Sequence, residues 1–143
     1  MWRPSDISEI ELVTSKGGNW ILLIKSATNV LKGDNFVFVY PELLQNKIIV
    51  RRGEVITSAI LETKDFGYKN INSKIKTLLR KTRDKIKLRG SIVNEISTRG
   101  DFIKKIRDSL KINQNNEYLL EVISLNDSKT ADPIIVELNI TKL

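Results

Sequence analysis

The sequence predicts an α/β or α+β fold built on a mixed sheet, and three observations carry that expectation. Short runs rich in β-branched and aromatic residues, punctuated by glycine and proline, fill most of the first 61 positions. A long stretch of helical periodicity then occupies residues 69–89, and a second such pattern follows at 101–111. Two apolar, strand-like runs close the chain. The expected architecture is therefore an N-terminal β-rich half, two amphipathic helices and two C-terminal strands in one domain spanning 1–143.

The elements follow in order. "EIELVT" (9–14) alternates apolar and charged residues as a strand does, although Ser5, Asp6 and Ser8 are equally suited to opening a short helix. "NWILLIK" (19–25) reads as a strand entered from the Gly17-Gly18 turn, and "NFVFVY" (35–40) as one stopped by Pro41. "KIIVRR" (47–52) and "EVITSAILETK" (54–64), joined through Gly53, have the composition of a β-hairpin.

Asn70 or Asn72 is the expected N-cap of the first long helix. Its apolar positions Ile71, Ile75, Leu78, Leu79 and Ile86 recur at helical spacing and predict a buried stripe. "KLRGSIVNEI" is open between a strand and a helical tail. "DFIKKIRDSLK" (101–111) reads as the second helix, and "EYLLEVISL" (117–125) and "PIIVELNI" (133–140) as strands around a polar loop.

Composition excludes whole classes of chemistry. The chain has no cysteine and no histidine, so thiolate catalysis, disulfides, Ser-His-Asp triads and His-Glu-x-x-His zinc sites are absent from it. Any catalysis rests on carboxylates, lysine, arginine, tyrosine or hydroxyls, or on a hard cation held by oxygen ligands. No glycine pattern matches a phosphate-binding loop or a dinucleotide fingerprint. The N-terminus lacks the pattern of a signal peptide, and no apolar run reaches membrane-span length. The expected localisation is cytoplasmic, without a membrane partner.

Charge is the most directional signal. Of 24 Lys/Arg and 17 Asp/Glu, residues 64–111 hold fifteen and five, whereas the rest of the chain holds nine and twelve. Within the basic segment Lys76, Arg80, Arg83 and Lys87 recur at i, i+4, i+7 and i+11, which aligns them on one helix face, and Lys69 lies near the helix start. Such a stripe attracts polyanions and releases their condensed counterions, so DNA or RNA is the expected partner. Phe66 and Tyr68 beside it are candidates for base stacking.

The stretch from Pro41-Glu42 to Glu62-Thr63-Lys64 resembles the core of the PD-(D/E)xK nuclease superfamily. Its continuation, "DFGYKNINSKIKTLLRKTRDKIKL" and onward to "YLLEVISL", is similar to the nuclease domains of contact-dependent growth-inhibition toxins; the resemblance covers residues 41–125. It implies a phosphodiesterase using Mg or Mn. Glu62 would be a metal ligand, Lys64 the catalytic lysine, and Glu42 would take the place of the family's aspartate, with Asp34 as a second candidate. The helix carboxylate that precedes such a core would be Glu9 or Glu11.

A different resemblance implies noncatalytic DNA binding. Val13-Thr14-Ser15-Lys16-Gly17, followed by Gly33-Asp34 and a strand, is similar to the SpoVT/AbrB swapped-hairpin fold. That resemblance implies a homodimer that brings Lys16 and Lys25 to DNA. A protein-interaction module is the third class, with Trp2, Trp20 and Tyr68 as its candidate contacts.

Overall fold

The computed structural model describes residues 4–27, 29, 31–33, 35–62, 68–100, 104, 108 and 117–143. Over these residues the chain is an α+β protein with a mixed sheet, and it divides into two compact units, Met1–Lys47 and Ile48–Leu143. The first unit contains five basic and five acidic residues by sequence, so the entire net charge of +7 resides in the second.

The N-terminal unit opens with helix α1 (Pro4–Ser15). Pro4 stands at the first helical position, where its missing N–H costs nothing and its fixed φ suits the helix. This signal prevails over the apolar alternation of residues 9–14. Ile10 and Val13, three apart, are the half-buried positions. Thr14 donates to the Ile10 carbonyl (2.8 Å) and Ser15 to that of Leu12 (2.8 Å), so hydroxyls engage carbonyls of the last turn.

Strand β1 (Trp20–Ser26) pairs antiparallel with β2 (Val39–Gln45), and the Asn46 amide closes the end on the Asn19 carbonyl at 2.7 Å. The second strand begins four residues later than expected, and Phe36 and Phe38 lie exposed before it. Pro41 does not end it; it sits inside, opposite Ile24. A two-stranded ribbon has an open edge along each strand, so proline is tolerated where its nitrogen faces outward.

In the C-terminal unit, β3 (Ile48–Val50) and β4 (Val55–Leu61) do not form the expected hairpin. β3 pairs with β7 (Ser128–Lys129), and β4 pairs with β6 (Tyr118–Ser124). The connecting turn is itself captured: Gly53, at φ 82°, donates to the Ser124 carbonyl (2.8 Å), Ser124 to that of Glu54 (3.0 Å), and the Arg52 amide to Asp127 Oδ1 (2.7 Å). These bonds direct the chain onto β6 instead of back along β3.

The main sheet runs β4-β6-β8-β5, with β8 at Ile134–Lys142 and β5 at Ile96–Thr98. The first two pairings are antiparallel, and β5 joins β8 in parallel. Registers Ala59↔Leu120↔Ile140 and Thr57↔Val122↔Leu138 line up one apolar face, since alternate residues of a strand share a side. Tyr118, Leu120 and Val122 of β6 and Ile134, Val136 and Leu138 of β8 are buried there.

Helix α2 (Tyr68–Leu88) supplies Ile71, Ile75, Leu78 and Ile86 to the same core, with Leu79 packed at its margin. The expected stripe is therefore present. Asn70 and Asn72 lie inside the helix, not at its cap. The helix ends in a Schellman motif: the Gly90 amide reaches the Lys87 carbonyl (2.9 Å), the Ser91 amide that of Ile86 (3.3 Å), and Gly90 takes φ 104°. The expected helix at 101–111 lies outside the described residues apart from Lys104 and Asp108, both helical. Among the described residues no helix is long and apolar enough to cross a membrane.

Leu120 is fully buried at the centre of the sheet, whereas Leu88 is 89% exposed. Leu120→Ala should lower the unfolding free energy by about 2–5 kcal/mol, and Leu88→Ala should change it by less than about 0.5 kcal/mol. Urea denaturation of both variants measures this, and equal losses would contradict the core assignment.

Candidate nucleic-acid interface

The cations of α2 sort into two groups by what they touch. Lys85 Nζ donates to the Ile56 carbonyl of β4 at 2.7 Å. Arg89, one residue beyond the helix, donates to the Ile49 carbonyl (3.2 Å) and to the Glu54 carboxylate (2.8 Å). These two tie the end of the helix to the strands beneath it.

Lys76, Arg80, Arg83 and Lys87 are exposed instead, and among the described residues no hydrogen bond or ion pair holds them. They project from a flank of the helix separate from the buried stripe, as their spacing predicts. Like charges three and four residues apart on a helix cost about 0.2–0.5 kcal/mol per pair. Asp84 is the single acidic residue in α2, so the stripe is weakly compensated from within the helix.

Buried Thr82 fixes this orientation. It is fully inaccessible, donates to the Leu78 carbonyl (2.8 Å) and hydrogen-bonds the Thr57 hydroxyl of β4. The apolar periodicity did not single it out, because a threonine is silent in a hydrophobic pattern. Its position between Leu78 and Ile86 is the signal that could have found it.

Lys76, Arg80 and Arg83 form one wall of a cleft of about 350 Å³, together with Leu79, Asn94, Glu95 and Ile96. The second wall comes from the connection between α2 and β5. That connection is held by the Ile92 amide on the Thr130 carbonyl (3.0 Å), by the Val93 amide on Ser91 Oγ (3.2 Å), and beyond β5 by the Arg99 amide on the Val136 carbonyl (3.1 Å). Sequence reasoning missed Asn94, Glu95 and Ile96. Their proximity to the helix arises from the crossover to a parallel strand, which no local pattern encodes.

The other expected site residues fall elsewhere. Glu62 immediately follows β4, is half-buried and is engaged by a neighbour. Thr57, Ala59 and Leu61 of β4 face α2, and alternation places Glu62 with Ser58 and Ile60 on the opposite side. Lys64, Asp34, Trp2 and Phe66 lie outside the described residues, as do the side chains of Tyr68 and Lys69, whose backbone is in α2.

Glu42 is on β2, which pairs with β1 and not with β4, and its carboxylate forms an ion pair with Lys25. That hydrogen bond holds the Lys25 ammonium above the ordinary lysine pKa. A raised lysine pKa means that the pair contributes at neutral pH and is lost only as the pH climbs through the lysine range. Glu9 and Glu11 are on α1, in the N-terminal unit. Among the described residues no group of three acidic side chains gathers that could hold a cation.

Val13, Thr14 and Ser15 of the "VTSKG" stretch end α1, and Gly17 and Gly18, both at positive φ, turn the chain into β1. Trp20 Nε1 donates to the Gly17 carbonyl at 3.1 Å. Trp20 also borders a cleft of about 560 Å³ within the N-terminal unit, with Glu9, Ile10, Val13, Tyr40, Pro41 and Leu43.

Comparison of the chain with protein-family models, curated proteins and solved structures found no match.

The two groups of cations should separate in stability measurements. Arg89→Gln should lower the unfolding free energy by about 1 kcal/mol, the value of a partly exposed charged hydrogen bond discounted for solvent screening. Arg80→Gln and Arg83→Gln should stay within about 0.5 kcal/mol of the parent. Denaturation that ranks Arg83→Gln as the most damaging would overturn the division.

Proposed function

We propose that the chain binds nucleic acid through the outward face of α2. The observation that supports this is a contrast among the cations of α2 and its end: Lys85 and Arg89 are committed to the fold, while among the described residues Lys76, Arg80, Arg83 and Lys87 stand aligned, exposed and uncommitted. From Lys76 to Lys87 the helix rises about 16 Å, which is long enough to follow several consecutive phosphates. Their separation from the core means that phosphate contacts require no rearrangement of the domain.

Binding of this kind is electrostatic and insensitive to sequence at the phosphate contacts. Three or four phosphate contacts predict a slope of log affinity against log salt near −2 to −3 for a single strand. Replacing Arg80 and Arg83 together with glutamine should make the slope shallower by about 0.7 per residue and weaken DNA and RNA oligonucleotides of all sequences alike. Fluorescence anisotropy between low and physiological salt measures it. Binding independent of salt, or equal binding by the double variant, would remove the proposed role of this helix.

Metal-dependent cleavage by Glu62 and Lys64 is a second reading, favoured by the position of Glu62 at the exit of β4 on the way to α2. If it holds, manganese should support cleavage of a mixed DNA and RNA panel and EDTA should stop it. Glu62→Gln and Lys64→Met should each cut about a hundred-fold or more slower, as expected for loss of one oriented charged group. Equal cutting by parent and variants from identical preparations would leave binding alone.

A further inference from the structure

The cleft beside the cationic stripe contains a group of the wrong sign for phosphate. Glu95 lines it opposite Lys76, Arg80 and Arg83, is exposed, and among the described residues makes no hydrogen bond or ion pair. A carboxylate there repels a phosphodiester, but it is an acceptor for paired N–H donors. Leu79 and Ile96 supply apolar surface in the same cleft, and Asn94 adds an amide. Its volume of about 350 Å³ is near the lower end for small-molecule pockets, suited to a single base with part of its sugar.

We propose that this cleft is a subsite for one unpaired guanine of a single-stranded nucleic acid; the proposal rests on the binding function argued above. Guanine alone among the common bases presents two adjacent N–H donors, N1–H and the 2-amino group, which a carboxylate accepts side by side. Adenine and cytosine place a ring-nitrogen acceptor beside their amino group, and uracil flanks its single N–H with carbonyls. In each of those cases one carboxylate oxygen faces a lone pair. In a duplex the same guanine edge is consumed by pairing, so the subsite selects single strands. The flanking phosphates fall to Lys76, Arg80 and Arg83, whose positive charge offsets the burial of Glu95 beneath a base.

The test uses the full chain and uridine 11-mers, as RNA and as the DNA equivalent, with a single central guanosine, inosine, adenosine or cytidine. Inosine keeps N1–H and lacks only the 2-amino donor. Anisotropy titrations should show the guanosine oligomer bound roughly tenfold or more tighter than the inosine oligomer, the value of one hydrogen bond to a charged group. Pairing the oligomer with its complement should erase the preference. Glu95→Ala should reduce the guanosine-to-inosine ratio to near one while total affinity is kept or raised, because an anionic repulsion is removed. Equal, salt-sensitive affinity of the parent chain for all oligomers would overturn the guanine subsite and leave the binding function standing. Failure of every oligomer to bind at low salt would overturn both.

Discussion

The attachment of α2 to the four-stranded sheet is the constraint on which the rest depends. Ile71, Ile75, Leu78 and Ile86 bury one side of the helix in the core shared with β4, β6 and β8, and the Thr57–Thr82 hydroxyl pair sets its rotation about its own axis. A burial stripe alone allows a helix to roll by tens of degrees at small cost, because dispersion contacts are not directional. A buried hydroxyl that would lose its partner on rolling adds a penalty of about 1–3 kcal/mol. Lys85 and Arg89 act at the far end, holding the last turn to backbone carbonyls of two strands.

That fixed rotation turns a sequence spacing into a surface. Because the core claims one side of α2, the i, i+4, i+7, i+11 cations are forced outward together, and the mutual repulsion of three neighbouring pairs is tolerated there only because water screens it. The crossover from α2 to β5 then brings Asn94 and Glu95 beside three of those four residues. Parallel pairing of β5 with β8 is what places that connection on the helix side of the sheet. Fold and candidate interface thus share one cause.

Much of this arrangement was legible in the sequence where the signal was local. The apolar stripe and the cationic stripe of α2 follow from 3.6-residue periodicity, and the alternation of 118–124 and 134–140 marks β6 and β8. Pairing was not legible. β3 and β4 look like a hairpin around Gly53, yet backbone groups of Ser124 and the side chain of Asp127, more than 70 residues away, capture the turn. Residues 9–14 carry strand and helix signals at once, and Pro4 at the first helical position favours the helix. Thr82 and Glu95 were invisible for a common reason: each derives its role from a partner that only the tertiary structure supplies.

The central claim is that the outward face of α2 and the adjoining cleft are where nucleic acid lies, and an NMR titration of the labelled chain with a short single-stranded oligonucleotide tests it most directly. Saturable, salt-sensitive amide and side-chain shifts should centre on Lys76, Leu79, Arg80, Arg83 and Lys87 and on residues 94–96. Lys85 and Arg89, tied to the strands beneath them, should move least among the cations of this region. Shifts centred on the β1–β2 ribbon or on Lys85 and Arg89, with the exposed stripe unmoved, would contradict it.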